Sequence, residues 1–164
     1  MKTVYSIRLD GDVRKLMKKL GKMKDIDLKG ANLVLAETLR TSTRQRFKDE
    51  VNPDGRRWKS SIRATNEGGT TLTDTAGLKN SIKSTADKSG FAVGTNKIYA
   101  KTHQFGDERT IKARTSRGLR FKINGKWVTK KKVDVSIPER AFIGISEEDM
   151  QEIKGTLEDL MSRE

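Results

Sequence analysis

From Tyr5 the apolar residues Tyr5, Ile7 and Leu9 alternate with Ser6 and Arg8, the period of a half-buried strand. The period then lengthens. Asp10 or Asp12 can cap a helix in which Val13, Leu16, Met17 and Leu20 recur at the three-and-four spacing of one helical face, and Gly21 ends it. A longer helix follows Asp27, with Leu28, Ala31, Leu35, Leu39 and Phe47 on one stripe and Lys29, Arg40, Arg44 and Lys48 largely outside it. It stops before Val51, because Asn52-Pro53-Asp54-Gly55 is a strong turn: proline presets one dihedral and glycine accepts the positive one.

Residues 56–70 show no period, and their Gly68-Gly69 pair predicts a surface loop carrying one anchored aromatic, Trp58. A short helix begins at Asp74 or Thr75 and turns Leu78 and Ile82 inward. Lys83 to Gly94 reads as a hairpin turning at Lys88-Ser89-Gly90. Helical turns ending at Gly106 carry His103 and Phe105, and Phe105 is expected in the core with His103 hydrogen-bonded beside it. Leu119, Phe121 and Ile123 alternate up to Asn124-Gly125, the pair preferred in two-residue turns, so Phe121 should face Val128 on the returning strand. Val133, Val135 and Ile137 alternate once more and stop at Pro138. Ser146 with Glu147, Glu148 and Asp149 forms a capping box, after which Met150, Ile153, Leu157, Leu160 and Met161 trace a buried helical face. The elements sum to one α+β domain over residues 1–164. N-terminal helices precede a central antiparallel sheet with a long basic β-hairpin, and a C-terminal amphipathic helix closes the chain.

Charge adds a feature that periodicity misses. The 164 residues carry a net charge of +13, but residues 97–132 hold 12 basic groups against 2 acidic, whereas residues 139–164 hold 3 against 8. A strongly basic middle therefore precedes an acidic tail. Hydrophobic residues are only 33% of the chain, thin cover for the entropy of ordering it, so part of its order is expected to come from partners.

The absence of cysteine removes disulfides, thiolate metal sites and cysteine nucleophiles together, and a single histidine excludes a two-histidine zinc site. Neither a phosphate-cradling loop nor a nucleophile elbow is present. Asp107-Glu108 are adjacent in a glycine-flanked turn, and Glu147 to Asp149 are accounted for by the helix dipole, so neither group reads as catalytic. No cofactor is expected. The N-terminus lacks the apolar run of a secretory signal, and no stretch approaches the length of a membrane span, so the expected chain is soluble and made in the cytoplasm.

One feature demands a partner: Arg109, Lys112, Arg114, Arg117, Arg120, Lys122, Lys126, Lys130, Lys131 and Lys132. On one reading residues 109–132 are a solvated hairpin. On the other they are a protruding arm that docks onto nucleic acid or an acidic protein surface. A sequence-specific reader would aim Asn, Gln and Arg at bases from one recognition element, whereas lysines spread along two strands suit backbone charge or protein better.

The order of motifs, FKDEVNPDGRRW at 47–58, LTDTAGLKNSI at 72–82, VGTNKIYAKTHQFG at 93–106, then the basic hairpin running into IPERAFIGIS at 137–146 and an acidic helix, resembles the phage virion morphogenesis family, the tail-completion or neck proteins of tailed phages. Where that family usually has Pro-Ala-Arg-Pro-Phe, this chain reads Pro138-Glu139-Arg140-Ala141-Phe142. The resemblance covers about residues 30–160. It implies a non-enzymatic building block of the virion neck: a subunit of a homo-oligomeric ring, hexameric in the implied form, between the head-side connector and the tail tube or tail terminator. A tail terminator ring, or a basic nucleic-acid-binding module, is the alternative, and genomic DNA in the lumen is a second possible partner for the arm. An enzyme acting through carboxylates is the third class, and nothing in the motifs supports it.

Overall fold

The computed structural model describes Lys15, Lys18, residues 27–123 and residues 125–162. The strand at Tyr5–Leu9, the helix carrying Val13 to Leu20, Asn124 of the hairpin turn and the side chain of Met161 lie outside the described residues.

Helix α1, Leu28–Asp49, is the axis on which the rest is built. Asp27 caps it by accepting from the Gly30 N–H at 2.9 Å. Glu50 ends it in the left-handed region, at φ 56, donating its N–H back to the Arg46 carbonyl. Two clusters form along the helix. At its N-terminal half Leu35 and Leu39 meet Ile153 and Leu157 of the C-terminal helix α5, Glu147–Ser162, with Phe91, Val93 and Met150 packed around them. At its C-terminal end Phe47 meets Trp58, Leu78, Ile82, Ala100 and Phe142, all buried. The Phe47 ring lies 5.5 Å edge-on from Trp58 and 5.2 Å from Phe142, spacings at which aromatic pairs attract beyond their area burial.

The aperiodic stretch contains a short helix that its sequence pattern does not announce, α2, Ile62–Glu67. Its signal is local rather than periodic, since Ser61 Oγ accepts from the Ala64 N–H at 3.1 Å. Helix α3, Gly77–Asn80, starts two to three residues later than expected, and Leu78 and Ile82 are indeed turned inward.

The strands make three separate two-stranded antiparallel ribbons rather than one continuous central sheet. In the first, β1 (Lys83–Asp87) pairs with β2 (Gly90–Gly94) and packs on α1. Asp87 Oδ1 accepts from the Ser89 and Gly90 N–H groups to hold the turn, and the buried Asn32 side chain donates to the Asp87 carbonyl at 2.8 Å. Helix α4, Ala100–Phe105, then intervenes and separates this ribbon from the next two. Strand β3 (Asp107–Lys112) pairs with β6 (Lys132–Ile137), and β4 (Leu119–Ile123) pairs with β5 (Lys126–Lys130).

Phe105 corrects the sequence reading, being 55% exposed rather than in the core. On a helix, Gln104 falls on the face of the buried Ala100, four residues earlier, and Phe105 is carried about 100° beyond it.

Candidate partner-binding surfaces

Strands β3 to β6 make up the arm segment, in which the β4–β5 hairpin is nested in the chain between the two strands of a β3–β6 stem. The return path runs directly from Lys130 to Lys132, while the outgoing path detours through residues 113–118. The Ala113 N–H donates to Lys131 at 2.8 Å, adding a last rung to the stem, and the Gly118 N–H closes the detour on Thr115 at 3.2 Å. Gly118 is required there. It has φ +81, and a Cβ at this position would sit 2.8 Å from Thr129 Cγ2 and 3.2 Å from the Lys130 carbonyl oxygen.

All ten arm cations named from the sequence are exposed, and the arm begins slightly earlier and ends later than residues 109–132. Asp107 and Glu108 belong to strand β3 rather than to a turn, and Asp107 pairs with Arg109 at 3.3 Å. Lys132 lies 3.6 Å from Asp134. In the hairpin, Leu119, Phe121 and Ile123 share a face with Val128, which stands opposite Phe121, and Lys126 and Lys130 close that face at its two ends. The other face carries Lys122, Thr129 and Arg120, whose guanidinium lies 4.7 Å from the Trp127 ring centroid, a cation–π contact. The cations therefore divide between two faces and do not form one patch. Trp127 is 61% exposed, and the stem alternates half-buried Val133, Val135 and Ile137 with exposed neighbours.

A cleft of about 1290 Å³ lies between α1, the Asn52–Gly55 turn and the start of α5. Leu33, Val34, Ile145 and Met150 give it an apolar floor, and Glu37, Asp49, Asp54, Glu147, Glu148 and Glu152 line it with carboxylates. Hydrogen bonds from Ser84 and then Arg40 hold the Glu37 carboxyl below its ordinary value, so it stays charged. The lining guanidinium of Arg46 is buried and spent inward: Nη1 donates to the carbonyls of Phe142 at 3.1 Å and Gly144 at 2.9 Å, and Nη2 to Ser42 Oγ and Asp149 Oδ2. Burial lowers the proton affinity of Arg46, and the carboxylates of Asp149 and Glu148 oppose that. Asp149 also accepts from the Ser146 N–H at 2.8 Å while Ser146 Oγ accepts from the Asp149 N–H at 3.1 Å, the reciprocal box read from the sequence. Sequence reasoning assigned these acids to the helix dipole and missed the cleft, because its two walls lie about a hundred positions apart in the chain.

The segment Pro138–Phe142 is a knot of backbone contacts. Arg140 Nε donates to the Lys59 carbonyl at 2.7 Å, Trp58 Nε1 to the Ala141 carbonyl at 2.9 Å, and Gln104 Oε1 accepts from the N–H groups of Phe142 and Ile143. His103 lies beside this knot, its carbonyl accepting from the Arg140 N–H at 2.7 Å. Among the described residues its imidazole Nδ1 is buried without a hydrogen-bond partner, so the local bond expected of the ring is not made at that nitrogen. Burial, and then the Arg140 charge, push the imidazole below its ordinary value. The unfolded chain therefore takes up a proton more readily than the folded one, and the stabilisation is fully present above about pH 6.5 and lost as pH falls from there through the lower value of the folded state. The melting temperature should drop between pH 7 and 5.5, ahead of carboxylate titration, and His103→Gln should flatten that slope. An unchanged slope would place its origin elsewhere.

Among the described residues, no group of three or more His, Cys, Asp or Glu side chains could hold a metal ion, and no helix is long and apolar enough to cross a membrane. The motifs quoted from the sequence converge instead on one core cluster. FKDEVNPDGRRW supplies Phe47 and Trp58, LTDTAGLKNSI supplies Leu78 and Ile82, VGTNKIYAKTHQFG supplies Ala100, and IPERAFIGIS supplies Phe142. The large apolar side chains of these motifs thus pack against one another, while Asp49 and Asp54 of the first motif and Ile145 and Ser146 of the last turn to the cleft. Compared with known families, residues 9–162 match the model of the phage virion morphogenesis family. No curated protein and no solved structure matches the chain.

Proposed function

Because this chain belongs to the phage virion morphogenesis family and so serves the building of a phage virion, we propose that it is a non-enzymatic neck subunit, a tail-completion protein forming a hexameric ring between the head-side connector and the tail tube. The observation that carries this reading is the arm. A two-stranded ribbon is marginal in water by itself, and among the described residues this one packs chiefly on itself, with Ile111, Ile123 and Trp127 exposed. Such a ribbon gains from a neighbour, and a ring gives every copy the same neighbour. The buried ionisable pair, Arg46 and Asp149, is committed to closing the fold rather than to a substrate. A tail terminator ring would use the same surfaces at the tail's own end.

The expected result is a small fixed copy number of this subunit per particle, with antibody or gold label at the head-proximal end of the tail. Label along the whole tail, or none on mature particles, would sink the neck assignment. The ten exposed cations also favour DNA as a second partner of the arm, threaded through the ring. If so, duplex binding by the purified protein should weaken steeply with added salt, because each phosphate contact releases a counterion.

A further inference from the structure

We propose that the hairpin of one copy seats in the acidic cleft of the next copy, so that the ring is held by a head-to-tail contact between two surfaces carried on every subunit. The inference rests on the ring reading above and names the interface it needs. Three observations converge on it.

The first is charge. The cleft is lined by Asp49, Asp54, Glu147, Glu148 and Glu152, with Glu37 already paired to Arg40, and its lining cation, Arg46, is buried and spent on Asp149. The hairpin carries Lys126 and Lys130 on one face, with Lys131 following. Acidic rim and basic ribbon are complementary, which steers encounter and fixes register.

The second is the apolar match. Leu33 and Val34 are 55% and 54% exposed on the cleft side of α1, an unusual position for large aliphatic residues on a charge-rich helix. The hairpin face that bears Lys126 and Lys130 has Leu119, Phe121, Ile123 and Val128 between them. Laid into the cleft, that face puts apolar residues over Leu33 and Val34 and its end lysines among the carboxylates.

The third is size. Five residues of strand span about 17 Å at roughly 3.3 Å each, and the α1 wall from Leu33 to Asp49 runs about 24 Å at 1.5 Å per residue. The hairpin fits lengthwise. Two different patches that dock on one another make a heterologous contact, the kind that closes into a ring when its rotation permits.

Charge exchange tests this. One variant reverses the arm, Lys126→Glu, Lys130→Glu and Lys131→Glu. A second reverses the cleft, Asp49→Lys, Asp54→Lys and Glu152→Lys, exposed positions that leave the Arg46–Asp149 pair untouched. Melting curves should show both folded. By analytical ultracentrifugation each alone should associate at least about a hundredfold more weakly than the parent, since like charges then face each other. Mixed in equal amounts they should assemble again, because each offers the partner surface the other needs, and a protein carrying both reversals should assemble alone.

Unimpaired assembly of either single variant overturns the proposal. So does a mixture that fails to assemble, or a cleft reversal that lowers the melting temperature and leaves association unchanged, which would give the cleft to an intrachain contact. A parent protein that stays monomeric at all concentrations overturns the docking while head-proximal labelling of particles still supports the neck reading. Rings that obey the charge exchange but are missing from particles would do the reverse.

Discussion

Replacing Asp149 by Asn should destabilise the fold by about 3–5 kcal/mol, the cost of breaking a buried ion pair by removing one partner. The variant keeps the shape and most of the hydrogen-bonding capacity of the side chain and removes only its charge. Arg46 is 5% exposed and Asp149 3%, so water cannot reach in to replace the lost carboxylate. The remaining ligands of the guanidinium, the carbonyls of Phe142 and Gly144 and the hydroxyl of Ser42, are neutral. Removing both charges in Arg46→Met/Asp149→Asn should recover part of the loss but not all, because the two carbonyls then lose their donor. Chemical denaturation of the three variants checks the order, with the single Asp149 variant lowest. An Asp149→Asn protein within about 1 kcal/mol of the parent would mean that the pair is hydrated and does not hold α5 to α1.

Truncating Phe47 or Phe142 to Ala should each cost about 3–5 kcal/mol. For a chain of this size that is a fall in melting temperature of roughly 6–20 °C. Both rings are essentially inaccessible, at 0% and 1%, and they touch each other and the cluster that joins four separated stretches of the chain. Because they are in contact, the double truncation should cost less or more than the sum. Phe105→Ala is the counterpart, expected to cost no more than about 1 kcal/mol from its exposed position. A loss at Phe105 comparable to that at Phe47 would contradict the described packing.

The contrast between these phenylalanines shows where the sequence is legible. The α1 stripe, the capping box at Ser146, the anchored Trp58 and the inward Leu78 and Ile82 are local signals, carried by spacing within about one helical turn, and the structure contains each of them. Phe105 fails that test because a six-residue helix leaves its facing to tertiary contacts, here the Gln104 grip on Phe142 and Ile143. Helix α2 went unread because its cap, Ser61, is a single residue in a stretch without apolar period. The division into three ribbons was also hidden, since alternation predicts strands but not which strands pair. The arm's cations could be counted directly. The cleft could not, because nothing local relates Glu37 to Glu152. Gly144 marks the same kind of blindness: a Cβ there would stand 2.3 Å from Pro53 Cγ, a close approach between segments ninety residues apart that no pattern foretells.

The arm leaves the body just after Gly106 and returns just before Pro138, and these two points are already joined. Ideal Cβ placement at Gly106 falls 3.0 Å from both the Ile137 carbonyl oxygen and the Glu139 nitrogen, and the Arg140 N–H reaches His103 across the same gap. Everything between is therefore a cassette with adjoining ends, replaceable in length without disturbing the body that holds it. Each residue pair added to both stem strands would carry the tip outward by about 3.3 Å. An odd number of pairs would also turn the tip's apolar face to the opposite side, so reach can grow without reorientation only in steps of two pairs. The stem is in this sense a ruler with a coarse graduation, set by the pleat of a β-strand.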